Sequence, residues 1–171
     1  VDAPIYPRTG SDMSLSVQFT PPYSLLNDKD YTDATEQDKF LWLEYHKWKF
    51  NYSFFSRLAG NLVLNTRARF GFMGLYNRDI GLSPFERFYL GGDGLSGFSL
   101  DGRELVGMRG YGNNTLTPRD MTGNYIGGTI FSKYTMEIRY PVSLNPMASI
   151  YLLSFVVIDC SSTAEAIVVL T

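Results

Sequence analysis

Lys133-Tyr134-Thr135-Met136-Glu137-Ile138-Arg139-Tyr140 is the stretch that decides the fold. Lys133, Thr135, Glu137 and Arg139 alternate with Tyr134, Met136, Ile138 and Tyr140, and Val142 continues the apolar set. Only a period of two sorts these residues, so the stretch reads as a strand with one ionic and one apolar face. It runs from about Thr129 to Val142, with Pro141 as its stop and Asn145-Pro146 as the next turn.

The same alternation recurs along the chain. Met13, Leu15, Val17 and Phe19 alternate with Ser14, Ser16, Gln18 and Thr20 in a strand from about Ser11 to Pro21, after the turn Pro7-Arg8-Thr9-Gly10. A second strand spans about Leu43 to Ser56, with Trp48, Phe50, Tyr52 and Phe54 opposite Lys47, Lys49, Asn51 and Ser53. Leu58-Ala59-Gly60-Asn61 is a tight turn with Gly where positive φ is often required. A third strand spans about Leu62 to Tyr76, with Leu64, Ala68, Phe70 and Phe72 opposite Asn65, Arg67, Arg69 and Gly71. A fifth strand begins near Ser149. The polar stretch from Asn27 to Lys39 is an exposed loop in which Thr35-Glu36-Gln37-Asp38 is able to start a helical turn.

The class is therefore all-β: an antiparallel meander of about five long strands. Soluble strands average roughly 5–6 residues, whereas tilted strands crossing a bilayer need about 9–11. The short ends at Gly60-Asn61 and Asn145-Pro146, against long ends at 22–42 and 77–128, match the loop asymmetry of outer-membrane barrels. In a barrel, Lys47, Lys49, Arg67, Arg69, Glu137 and Arg139 face the lumen and the apolar residues face lipid. Trp42, Tyr45, Trp48, Tyr76, Phe88 and Tyr89 are then placed in the interfacial aromatic belt. A soluble β-sandwich uses the same alternation with the apolar face as core.

Composition narrows the function. Aromatics reach 15% and Gly numbers 16, whereas charged residues are 19%, which favours β-structure. A net charge of -2 gives no general attraction for nucleic acid. One Cys, Cys160, excludes an internal disulfide, and one His, His46, excludes a His-His metal pair. A Cys160/His46 catalytic pair is formally open, but no nucleophile, base and orienting group assemble into an enzyme site. No cofactor and no metal are expected. The start has no signal peptide pattern, and no apolar run reaches the length of a membrane helix.

The Gly-rich loop 77–128 is too long to be idle. Aromatics and Leu recur among its glycines, so it is able to bury surface and fold back on itself. Gly92-Asp93-Gly94-Leu95-Ser96-Gly97 matches a dinucleotide-binding pattern, but no helical start follows at Phe98-Ser99-Leu100-Asp101-Gly102. Arg109, in Gly107-Met108-Arg109-Gly110-Tyr111-Gly112, sits where the backbone turns sharply. If the loop tucks into a lumen, its guanidinium needs an acceptor, and Glu137 is the best acidic candidate. The alternative is a solvated loop cation.

Phe88-Tyr89-Leu90-Gly91-Gly92, followed by Met108-Arg109-Gly110-Tyr111, resembles the BamA outer-membrane assembly factor family. Tyr134 to Pro141 is similar to the strand after that loop, and Tyr6-Pro7-Arg8-Thr9-Gly10 to a periplasmic turn. Ser83 to Phe88 and Leu95 to Phe98 look most like Bacteroidetes-type members. The resemblance covers roughly residues 3–156. It implies a 16-stranded transmembrane β-barrel behind periplasmic POTRA domains, in the bacterial outer membrane. It also implies folding and insertion of unfolded outer-membrane protein clients, with outer-membrane lipid and accessory lipoproteins as partners and without nucleotide or covalent chemistry. Arg109, Gly110 and Tyr111 then form the loop motif folded into the lumen, Gly91 and Gly92 are its loop glycines, and Glu137 is the wall partner. A secretion pore of the same superfamily shares this loop, and a soluble binding module is the third possibility.

The chain departs from the family's pattern. The POTRA domains and the opening and closing strands are not present. After Phe155 an acidic residue and Ala-Gly are expected, but the chain reads Val156-Val157-Ile158-Asp159-Cys160, with Asp159 as a substitute carboxylate in uncertain register. Residues 157–171 form an aberrant tail, which a frameshift or truncated gene explains. A partial barrel with both edges exposed is expected to be unstable or to aggregate.

Overall fold

The computed structural model describes residues 1–3, 6–27, 31, 34–94, 103–108, 110–145, 148–161 and 166–170. In chain order the elements are β1 (Gly10–Phe19), α1 (Tyr23–Leu26), α2 (Glu36–Lys39), β2 (His46–Ala59), β3 (Leu62–Gly74), β4 (Phe88–Leu90), β5 (Glu104–Val106), β6 (Ile130–Asn145), β7 (Ala148–Ser161) and β8 (Ala166–Leu170). The main sheet has the order β1-β2-β3-β6-β7-β8, every neighbour antiparallel, and β4 pairs with β5 in parallel inside the long β3–β6 connection. The protein is thus an all-β meander. The sheet is open, with β1 and β8 as its edges.

The alternation in the sequence sets the register. Asn51 lies opposite Arg69 and Arg69 opposite Lys133; Asn65 lies opposite Glu137. The ionic residues of β2, β3 and β6 therefore line one face, as the period of two requires. Turns follow local chemistry: Gly60 has φ 53 in the β2–β3 hairpin. At α2, the Thr35 hydroxyl accepts from the Asp38 amide at 3.4 Å, which caps the helical turn.

One expectation is corrected. Pro141 does not end β6, which continues to Asn145 with a register shift between Pro141 and Ser143. A bulge is where a strand tolerates the missing N–H of Pro. Beyond the family-like stretch, Ala166 to Leu170 pair with Cys160 to Val156. On β7, Leu153, Phe155 and Val157 fall opposite Arg139, Glu137 and Thr135, so here the inner positions are apolar. This strand is the one at which the sequence departs from the family's pattern.

Burial is inverted relative to a soluble sheet. Met13, Leu15, Phe19, Phe54, Phe70, Tyr134, Met136, Ile138, Tyr140 and Leu152 are exposed on the apolar face. The two buried apolar clusters involve the other face: Met73, Phe88, Leu90, Val106 and Phe131 in one, Tyr6, Phe55 and Val63 in the other. A β-sandwich would cover its apolar side and wet its ionic side. Here the loop covers the ionic side, the reverse of what a sandwich asks of that face.

The aromatic belt is only partly as expected. Trp48 packs edge-on against Phe19 at 5.5 Å between centroids, and Tyr76 and Phe72 flank His46. Tyr23 stacks beside Trp42 at 5.1 Å. Phe88 and Tyr89, by contrast, are buried in the loop, and Tyr45 packs against the inner cluster. Nearness to a strand end in sequence does not say which face a residue occupies, and β4 lies on the inner one.

Candidate functional site

The loop between β3 and β6 builds its own ladder before it meets the wall. The Gly91 amide donates to the Val106 carbonyl at 3.1 Å and the Met108 amide to the Gly92 carbonyl at 2.7 Å. The Gly92 amide donates to the Tyr111 carbonyl at 3.2 Å, and the Tyr111 amide to the Met108 carbonyl at 3.2 Å. The last bond closes a turn over 108–111, in which Gly110 has φ 88, a value that turn chemistry reserves for Gly. Thr117 completes the ladder: its hydroxyl accepts from the Leu90 amide at 2.9 Å. Arg87 clamps the outer part, donating to the carbonyls of Ser83 at 2.8 Å, Leu82 at 3.1 Å and Ile126 at 3.2 Å.

Gly91 and Gly92 are required by crowding as well as by φ. At Gly91 a Cβ would come within 2.5 Å of the Gly112 carbonyl oxygen and 2.8 Å of the Asn114 amide nitrogen. At Gly92 it would meet the Asn113 side-chain oxygen at 1.8 Å. The two glycines let the 88–92 strand pass against the 111–115 segment, and this contact positions the motif turn.

The loop meets the wall through apolar packing and three lysines. Phe88 packs on Phe131 with centroids 4.7 Å apart, and Met73, Leu90 and Val106 complete the cluster. Each such side chain contributes about 1.5–3 kcal/mol on burial, so packing supplies much of the holding energy. The lysines supply register. Lys47 is 1% exposed and donates to the Glu86 backbone carbonyl at 2.8 Å. Its Nζ also lies 3.2 Å from Glu86 Oε2, 2.6 Å from Glu104 Oε2 and 4.8 Å from the Phe88 ring centroid. Lys49 reaches Glu104 at 3.4 Å, and Lys133 on β6 donates to the Gly107 carbonyl.

Glu137 sits deeper, towards the short-turn end. Its Oε2 lies 2.5 Å from Arg139 Nη2 and 3.7 Å from Arg67 Nη2, and accepts from Asn65 Nδ2 at 2.9 Å. Asn65 is fully buried, and its Oδ1 has no hydrogen-bond partner among the described residues. A cavity of about 460 Å³ opens beside this cluster, lined by Glu137, Arg67, Arg69, Lys133, Asp93 and Met108 among others. Gly92 and Glu137 thus line one cavity, from the loop and from the wall. Below it, the Tyr6 hydroxyl donates to the Arg139 carbonyl at 3.0 Å.

Of the residues singled out from the sequence, Gly91, Gly92, Gly110 and Tyr111 come together in the loop ladder, and Glu137 faces the cavity beneath. Arg109 lies outside the described residues, as do 95–97 of the dinucleotide-like pattern, so the Arg109–Glu137 pair is left open. Asp159 falls in register opposite Lys133. His46 and Cys160 form no pair: Cys160 is three strands from β2 and four residues along the ladder, about 20 Å away. His46 instead accepts from the Trp48 indole at 3.1 Å. Sequence reasoning missed Lys47 with Glu86 and Glu104. The available signal was two inner-face lysines at the loop end of β2 and two acids in the loop that follows β3, but which acid meets which lysine depends on how the loop closes.

Residues 1–157 match the family model described as the Omp85 superfamily domain. The match ends within β7, four residues before that strand does. No curated protein matches the chain.

Proposed function

The chain belongs to the Omp85 superfamily, and from that premise we propose that it is part of a BamA-type assembly factor that folds and inserts other outer-membrane proteins. Members of the superfamily are outer-membrane proteins of assembly and secretion. The reading places the bare apolar face against outer-membrane lipid and the ionic face around a lumen. The partners are unfolded outer-membrane barrel clients and accessory lipoproteins. No enzyme activity and no cofactor are assigned: the work is templated strand pairing, in which main-chain hydrogen bonds are supplied to an incoming strand.

The observation that carries the reading is the loop fastened to the inner wall by Lys47, Lys49 and Lys133 and by the Phe88–Phe131 cluster. A secretion pore of the same superfamily shares this loop and has to clear it for its cargo, so client folding is what separates the two.

The test is reconstitution. Vesicles containing the protein are mixed with a urea-unfolded outer-membrane barrel client, and folded client is followed by heat-modifiable gel mobility. Faster folding than in empty vesicles supports the proposal. No acceleration, together with large conductance steps in planar bilayers, would favour the secretion pore and overturn it.

A further inference from the structure

We infer that Lys47 is a positioning residue, a latch that fastens the first limb of the long loop to β2. The inference rests on where the loop lies and not on the client-folding reading.

The first observation is the completeness of the site. Lys47 is among the largest of the almost fully buried side chains of the described residues, and a buried ammonium is expensive unless its donors are met. Two carboxylates, one carbonyl and one ring face surround it, all contributed by the loop. Glu86 holds φ 64 to offer both its carbonyl and its carboxylate, and a non-Gly residue with positive φ persists only where the surroundings enforce it.

The second observation is distance. Lys47 is in register with Met73 on β3, and Glu137 with Asn65. Eight residues of strand separate those levels, about 26 Å along the wall. The latch therefore holds the loop at the loop end of the sheet, far from the Glu137 cluster.

The third is direction. Glu104 reaches Lys47 on β2, whereas Gly107, three residues on, takes the Lys133 ammonium of β6. Lys47 and Lys133 lie two strands apart and four residues along the wall, about 16 Å, of which three extended residues span about 10 Å and the long lysine side chains the rest. The β5 segment is therefore strung over β3 as a tie between its two neighbours.

The experiment uses the protein in phosphatidylcholine vesicles, with subtilisin cleavage reading the loop and amide hydrogen exchange reading β2, β3 and β6. Lys47→Met keeps side-chain length and removes the charge. The expected result is at least tenfold faster cleavage near residues 78–94, with exchange in β3 and β6 unchanged. Glu86→Gln/Glu104→Gln, which leaves the wall intact, is expected to do the same. The triple variant is expected to go no further than either, because all three changes remove one interaction. Arg109→Ala is expected to leave the 78–94 limb protected. An unchanged cleavage rate overturns the inference, as does simple addition of the effects. It also fails if loop and strands loosen in step, the mark of a cation that merely supports the sheet. Should Lys47→Met not fold, the double glutamine variant alone decides.

Discussion

Gly71 of β3 lies directly beneath the ring of Phe131 of β6, its cross-strand neighbour: a Cβ on Gly71 would approach Phe131 Cε1 to 2.1 Å and Phe88 Cζ to 2.9 Å. The missing side chain is the seat in which the loop's leading aromatic rests. Gly71→Ala is therefore expected to destabilise the protein by about 1–3 kcal/mol through overpacking. Urea unfolding in lipid, followed by Trp fluorescence, measures it. Wild-type stability together with unchanged loop protection would contradict this seating.

The two loop glycines should differ in cost. At Gly91 the obstacle is backbone, with φ 131; at Gly92 it is the end of the Asn113 side chain, with φ 71. Gly91→Ala is expected to cost roughly 2–3 kcal/mol and to expose the loop to protease, and Gly92→Ala about 1, since Asn113 is able to turn away. Equal effects, or the reverse order, would count against the crossing of 88–92 and 111–115.

Glu137→Gln tests the deep cluster. It leaves Arg139 and Arg67 without their shared carboxylate, at sites where Arg139 and Glu137 are 11% and 12% exposed. Removing one partner of a buried pair costs about 3–5 kcal/mol, and the loss here is expected near the lower figure because the amide still accepts one bond. Asn65→Asp is expected to be destabilising as well, by placing a second carboxyl beside Glu137. Thermal unfolding in vesicles reads both.

A lysine on the bare face separates the two environments that alternation alone leaves open. Met136 and Ile138 are each 45% exposed on the apolar face of β6. On a water-facing surface Ile138→Lys would be neutral within about 0.5 kcal/mol. Facing acyl chains, it is expected to cost roughly 2–4 kcal/mol near the midplane and less towards either end. Folding yield into vesicles for Lys placed along Tyr134, Met136, Ile138 and Tyr140 maps that depth profile, and a flat profile would refute lipid contact.

The strands were readable because one physical rule governs them: neighbours in sequence occupy opposite faces, so Lys133 to Tyr140 announces both faces at once. The rule sorts faces but leaves register to the strand pairing, which is what brings Asn65 opposite Glu137. The loop was less readable. β4 and β5 are three residues each and pair in parallel, too short for any period to register. Phe88 and Tyr89 look like belt residues in a list of aromatics, and only closure of the loop places them inside. Lys47 looked like one more lumenal cation, because burial of an ammonium depends on acids brought from 39 and 57 residues away. Pro141 reads as a stop because a bulge leaves no mark in the alternation until the partner strand is known.

The arginine pair on β3 has a consequence for small ions. Lys47, Lys49 and Lys133 are engaged with the loop, but Arg67 is half exposed and Arg69 more so, and both border the cavities on either side of the β2–β3–β6 wall's middle. In the closed barrel of the proposed function, water passing the loop would run along these two guanidinium groups, and the resting leak is expected to favour chloride over potassium, which the sign of the reversal potential in a salt gradient checks.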